Sequence, residues 1–135
     1  MSKVLSDQAR AFLQERRFAV LATINRDGSP QLSAMWYQLL DDGTIMMNTK
    51  VGRLKERNLR RDPRVSVCWE DGGYLTITGK AVLIDDPELG QQNIHRLAVR
   101  YNGEEAARKQ VEDQFSKEER VTIHIKPDNI IEAMW

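Results

Sequence analysis

Asp-Gly turns at Asp27-Gly28, Asp42-Gly43 and Asp71-Gly72 cut the first half of the chain into strand-length runs. An Asp-Gly pair supplies the positive φ that a tight hairpin needs, so the runs it separates are expected to lie antiparallel. Phe18–Ile24 is a dense apolar, partly β-branched run, Gln31–Leu40 follows the first turn, and Thr44–Asn48 follows the second. Together they read as an antiparallel meander. Arg64–Glu70 alternates Val65, Val67 and Trp69 with Ser66, Cys68 and Glu70. Tyr74–Asp85 is a longer strand, in which Gly79 marks a bulge or a close backbone approach. Val121–Ile125 alternates again, and Pro127-Asp128-Asn129 is expected to turn the chain into a short last strand. Six or seven short strands at this spacing predict a mainly β (α+β) fold, a small closed antiparallel barrel with a few peripheral helices.

The helices are few. Ser6 is a plausible N-cap for an amphipathic helix over residues 7–16, with Ala9, Phe12 and Leu13 on its apolar stripe. Asp86-Pro87 pairs an N-cap with proline at the first helical position, which predicts a helix over 87–101. Gly103 then separates it from a charged helix over Glu104–Phe115.

The fourth helical segment is chemically the most distinctive. Lys50–Arg64 holds seven basic residues (Lys50, Arg53, Lys55, Arg57, Arg60, Arg61, Arg64) against Glu56 and Asp62. The whole chain has net charge +0, so the excess is local. Asn48 and Thr49 are good N-caps, and the segment reads as strand, loop at Gly52, then helix. A helix start offers unpaired N–H groups and partial positive charge to an anion, and Arg53 and Lys55 flank it. Arg53, Arg57, Arg60 and Arg61 can share one face. Three readings stand open on these residues: a phosphorylated small molecule, a solvated surface, or a phosphate-contact strip for nucleic acid. Neutral overall charge and aromatic residues kept apart from the basic run count against nucleic acid.

On the strand before it, alternation puts Gln31, Ser33, Met35 and Tyr37 on one face and Leu32, Ala34, Trp36 and Gln38 on the other. Either face is compatible with core, and Trp36 reads more readily as core than as a cofactor platform. His95 falls on a polar part of its helix and His124 points outward on its strand, so neither belongs to a site. No His, Cys, Asp or Glu spacing resembles a metal cluster. No nucleophile motif, Walker loop or Gly-x-Gly-x-x-Gly is present. With no catalytic acid, base or nucleophile to name, an enzyme of this sequence would take its chemistry from a cofactor.

At 135 residues one domain over 1–135 is expected. No apolar run approaches the ~20 residues of a membrane span. The N-terminus lacks a signal-peptide core, and Cys68 is the only cysteine, so no internal disulfide can form. The expectation is a cytoplasmic protein without membrane or nucleic-acid partners.

The order of strand, Asp-Gly turn, strand, strand, basic helix, strand, strand resembles the split β-barrel flavoproteins of the pyridoxamine 5′-phosphate oxidase-like superfamily. The resemblance runs from about Phe18 to Trp135. It rests on Phe18-Ala-Val-Leu-Ala-Thr23 with Asp27-Gly28-Ser-Pro-Gln31, on Asn48-Thr-Lys-Val-Gly-Arg-Leu-Lys55, and on Asn58-Leu-Arg-Arg-Asp-Pro-Arg-Val65. Together these look like the short branch that uses coenzyme F420. The resemblance implies an antiparallel split β-barrel and a homodimer with cofactor at the interface between two barrels. It implies an oxidoreductase that passes a hydride from the reduced deazaflavin to a small organic substrate, with FMN as the alternative cofactor, or cofactor binding without turnover. Carried over residue by residue, Thr49, Arg53 and Lys55 would hold phosphate, with Asn48 in the same loop and Asn58 a nearby polar contact. Ser33, Met35 and Trp36 would line the ring or ribityl chain. Lys50, Arg57 and Arg61 would meet a distal anionic tail, and Trp69 and Tyr74 would reach across the interface. Pyridoxamine phosphate oxidase itself carries basic residues on the strand matching Ser33–Gln38 and a C-terminal substrate motif. This chain has neither, which disfavours that activity.

Overall fold

A computed structural model of the chain describes residues 4–133. The strands β1 (Ala19–Ile24) and β2 (Pro30–Met35) form the expected hairpin, in register from Ala19↔Met35 to Ile24↔Pro30. The Ser29 N–H donates to the Asp27 carboxylate at 3.0 Å and closes the turn. The next strand, β3 (Gln38–Leu39), does not continue β2. It lies at the opposite edge of a seven-stranded sheet ordered β2-β1-β5-β6-β7-β4-β3, built with β4 (Ile45–Lys50), β5 (Arg64–Glu70), β6 (Tyr74–Ile84) and β7 (Arg120–Ala133).

This topology forces closure. Six strand spacings of about 4.8 Å would hold the edges of a flat sheet about 29 Å apart. Only Trp36 and Tyr37 join β2 to β3, a link that spans at most about 11 Å. The sheet therefore curls until its edges meet, as a split barrel.

The expected single strand over Gln31–Leu40 thus breaks at Trp36-Tyr37, which splits the meander into a β1–β2 hairpin at one edge and a short β3–β4 hairpin at the other. β4 pairs with β3 and β7, not with β2. The backbone shows why. Tyr37 N–H donates to the Tyr101 hydroxyl (3.2 Å), and Tyr37 C=O accepts from Arg100 Nε (3.0 Å). Both groups are satisfied from a helix and not by a neighbouring strand, so the chain leaves the ladder there without stranding a buried polar group.

The expected turn at Pro127-Asp128-Asn129 is also absent. β7 is one strand of 14 residues. Its register against β6 slips between Thr78 and Gly79, which pair with Asn129 and Pro127, so Asp128 is extruded as a bulge. Proline within a sheet is tolerated at such a bulge. Gly79 serves it by close approach, since a Cβ there would lie 2.4 Å from the Lys126 carbonyl oxygen.

Inside the barrel, Leu21, Tyr37, Val67, Trp69, Ile77 and Ile125 are fully buried. Trp69 meets Tyr37 edge-on at 5.3 Å. It is therefore a core residue and does not reach across any interface, whereas Tyr74 is exposed. Helix α1 (Asp7–Gln14) buries Ala9, Phe12 and Leu13, and Ser6 caps it by accepting from Ala9 N–H. Helix α2 (Leu54–Arg61) carries the basic stretch. Helix α3 (Pro87–Asn102) starts at the Asp86 cap and packs on β4 and β7. After Gly103, α4 (Glu104–Asp113) ends two residues before the expected Phe115, which begins a 3-10 turn. Ile94, Ala98, Ala107 and Phe115 form a second small core under this helix pair, with Trp36 packed against it. Among the described residues no helix is long and apolar enough to cross a membrane.

Candidate functional site

The start of α2 differs from its expected form. Asn48 and Thr49 do not cap it; they belong to β4, where Asn48↔Thr122, Thr49↔Val121 and Lys50↔Arg120 extend the pairing with β7. The N-cap is Arg53, which makes no side-chain cap bond. Glu56, buried inside the helix, takes over that work. Its Oε1 accepts from Gly52 N–H at 2.9 Å and its Oε2 from Arg60 Nε at 2.8 Å. Burial alone would raise the Glu56 carboxyl, but the bonds from Arg60 and Gly52 outweigh it and hold the group below its ordinary value.

A carboxylate lowered on folding stabilises the fold above its unfolded value of about 4.3, and that stability is lost as pH falls through the folded value. Glu56→Gln is therefore expected to destabilise the protein by about 1–2 kcal/mol at pH 7, with the gap to wild type closing at pH 3 in urea melts. A gap that stays constant with pH would show that the carboxylate charge is not what holds the loop.

The basic residues do not act as one strip. Arg60 grips the Asp85 carboxylate with two nitrogens (2.6 and 2.7 Å), Arg64 pairs with Asp62 (2.8 Å), and Lys50 stands 3.8 Å from Glu118. Arg61 donates to the Ile24 carbonyl and to Asn58 Oδ1. Among the described residues Arg53, Lys55 and Arg57 have no carboxylate within 4.0 Å.

α2 divides these groups between two clefts. On one side Arg53 and Lys55 line a groove of about 320 Å³ with Met35, Trp36, Asn48 and Thr49. On the other, Arg57, Asn58, Arg60 and Arg61 line an open cleft of about 690 Å³ facing the Asn25–Asp27 turn. Of the ten expected site residues, six therefore meet in one groove and Arg57 and Asn58 lie behind the helix. Asn58 is buried there, donating to Thr23 Oγ1 (3.2 Å) and Asn25 Oδ1 (3.0 Å), which ties α2 to β1. Ser33 and Lys50 line neither cleft; the Ser33 hydroxyl accepts from Gln31 Nε2 at 3.1 Å.

The groove has an apolar lining and a cationic one, which meet where Arg120 lies over Phe115. Phe18, Trp36, Ile94, Leu97 and Phe115 make an apolar wall. Trp36 is half-buried, stacked on Tyr101 (5.1 Å, 12° between planes) and edge-on to Phe115 at 6.5 Å. It lies outside the barrel, so it is neither barrel core nor a free plate. On the cationic side Arg53 and Lys55 meet Arg120, a residue that the sequence reading missed. Arg120 is only 6% exposed, donates from Nε to Asn48 Oδ1 (3.0 Å) and from Nη1 to Glu118 Oε1 (2.9 Å), and lies 5.1 Å over the Phe115 ring. Its signal is long-range. Only the pairing Lys50↔Arg120 brings the first residue of β7 beside the basic loop.

Electrostatics mark this side as a place for negative charge. Burial first, then Arg53 and Arg120, hold the Lys55 ammonium below its ordinary range. Burial also lowers Arg120, partly offset by Glu118. Crowded like charges with a single carboxylate beside them suit an oxyanion, and the apolar wall suits a flat ring. Among the described residues no group of three or more His, Cys, Asp or Glu could hold a metal ion.

Comparison with known proteins bears on this arrangement. The model of the family described as pyridoxamine 5′-phosphate oxidase matches residues 5–132. The F420H2-dependent biliverdin reductase of Mycobacterium tuberculosis is 33% identical over 100 residues, 72% of either chain. A conserved hypothetical protein of M. tuberculosis has a crystal structure that superposes with TM-score 0.79 at 34% identity, covering 96% of this chain and 85% of that one. The structure of an F420 reductase matches at TM-score 0.73 and 24% identity, over 94% of this chain and 98% of the other, a likeness of fold alone.

Proposed function

We propose that this chain, which belongs to the pyridoxamine 5′-phosphate oxidase family, is a coenzyme F420-dependent reductase of a small unsaturated organic substrate. The observation that carries the proposal is the groove that the cations Arg53, Lys55 and Arg120 line together with Trp36 and Phe115, the Phe115 ring touching both Arg120 (5.1 Å) and Trp36 (6.5 Å). It offers cations to a phosphate and an apolar wall to a planar ring, as a phosphorylated flavin-type cofactor requires. In this reading Thr49, Arg53 and Lys55 hold the phosphate. Asn48 fixes the cationic side, and Met35 and Trp36 border the ring. Arg57 and Arg61, behind α2, take the oligoglutamate tail. The bound cofactor in its reduced form would supply a hydride. The protein's own residues bind, orient and exclude water, since no acid or base is needed to generate the donor. The likeness to the F420H2-dependent biliverdin reductase supports the deazaflavin and makes biliverdin the first substrate to assay.

FMN is the second reading. Its single phosphate monoester would fit the cationic side of the groove and leave the arginines behind α2 unused.

The homodimer belongs to the same proposal. Phe18 (61% exposed), Val20 (41%) and Leu32 (64%) lie on the outer face of the β1–β2 hairpin, and Phe18 and Ala34 also line the groove. The groove thus opens onto an apolar face that a second barrel would cover.

The test is a parallel titration of cofactor-free protein with F420 and FMN, read by tryptophan fluorescence and accompanied by light scattering. Tighter F420 binding to a dimer is expected. Tighter FMN binding would move the protein to the flavin reading, and full-affinity binding by a monomer would remove the interface from the site.

A further inference from the structure

Arg120 is more than a structural cation in the wall of the groove. A buried guanidinium is costly unless paired and hydrogen-bonded, and Arg120 is only half provided for. Its Nε is spent on Asn48 and its Nη1 on Glu118, while Nη2 has no hydrogen-bond partner among the described residues. Glu118 is itself shared with Lys50 at 3.8 Å. Two cations, Lys50 and Arg120, therefore share one carboxylate, where a purely structural ion pair would be neutral. Arg53 and Lys55 line the groove with Arg120 and have no carboxylate within 4.0 Å among the described residues. The Asn48 bond and the Phe115 ring fix the plane of the guanidinium, which leaves the unspent nitrogen as a preset donor.

We propose that Arg120 is the inner anchor for the ligand's phosphate oxyanion, and that Glu118 holds the Arg120 guanidinium in place while restraining anion affinity. This rests on the reading of the groove as a cofactor site. It adds that the phosphate is bound deepest by the first residue of β7 and not by the basic loop alone. Arginine suits the position because its planar fork can serve Asn48, Glu118 and a phosphate oxygen at once, whereas lysine offers a point charge.

The test compares Arg120→Gln, Arg120→Lys and Glu118→Gln with wild type, titrating F420 (a phosphodiester), FMN (a monoester) and pyrophosphate by tryptophan fluorescence, with thermal melts of each. Arg120→Gln is expected to weaken binding at least tenfold. Arg120→Lys should recover part of the loss while keeping a charge in the fold. Glu118→Gln should tighten binding severalfold, because it removes the competing carboxylate. A structural pair would give the opposite result for Glu118, with both Gln variants weakening binding as they lower the melting temperature. Unchanged affinity in a folded Arg120→Gln or Arg120→Lys variant overturns the proposal, and so does a loss of affinity in Glu118→Gln. If wild type takes pyrophosphate in an Arg120-dependent way but neither F420 nor FMN, the anchor stands and the cofactor reading falls. If it takes none of the three, both fall.

Discussion

Lys55→Glu is expected to weaken F420 binding by roughly tenfold to a hundredfold, from the 1.5–3 kcal/mol that a hydrogen bond to a charged group contributes. Lys55 is half-buried, lines the groove beside Arg53 and Arg120, and has no carboxylate within 4.0 Å among the described residues. In the free protein its ammonium is disfavoured by burial and by those two guanidinium groups. An anion in the groove relieves that repulsion, so the lysine contributes more to binding than an exposed one would.

The same setting predicts a pH dependence. Lys55 must be protonated to hold the anion and its value is lowered in the free protein. F420 affinity should therefore fall with rising pH earlier than an ordinary lysine, near 10.4, would dictate. Arg57→Glu is the contrast. Arg57 is exposed in the open cleft behind α2, so its effect should be smaller and should fade with added salt. Affinity measured across pH and ionic strength separates the two. A folded Lys55→Glu protein that binds like wild type would remove Lys55 from the site.

What the sequence conveyed and what it withheld divide along a physical line. Local signals were reliable. The Asp27-Gly28 hairpin, the Ser6 and Asp86 caps and the alternation of Val65, Val67 and Trp69 depend on neighbours in the chain, and the structure has each of them. Gly79 was legible as a bulge or a close approach, and it is both. The errors are non-local. Gln31–Leu40 has the alternation of one strand, yet it breaks because Tyr101 and Arg100, more than sixty residues away, satisfy Tyr37's backbone groups. The Asn48-Thr49 pair looks like a helix cap until β7 claims it for a ladder. Asn58 looked like a polar contact and faces β1. Arg120 gave no local sign at all. The basic loop was legible as a candidate site because its charge is concentrated in sequence; Arg120 beside it was not, because strand pairing brings it there.

Gly90→Ala is expected to damage fold and site together. Gly90 lies in the first turn of α3, where helix propensity alone would make alanine more stable by ~1 kcal/mol. Packing reverses the sign. A Cβ on Gly90 would lie 2.1 Å from the Arg120 carbonyl oxygen and 2.7 Å from its carbon, and neither is a side-chain atom that can rotate away. The helix must therefore lift off β7. Overpacking against backbone belongs near the upper end of the usual range, about 3 kcal/mol, which leaves a net loss of about 2 kcal/mol after propensity is credited. The displacement has a second consequence. The Gly90 carbonyl accepts from Asn48 Nδ2 at 2.9 Å, and Asn48 Oδ1 accepts from Arg120 Nε at 3.0 Å. Lifting α3 breaks the first bond and frees Asn48, which then no longer fixes the guanidinium in the groove. Urea melts should show the lost stability, and F420 titration under native conditions should show weaker binding in the fraction that remains folded. A Gly90→Ala protein more stable than wild type, as propensity alone dictates, would mean that α3 does not rest on β7 through this contact, and the route from helix packing to Arg120 would fall with it.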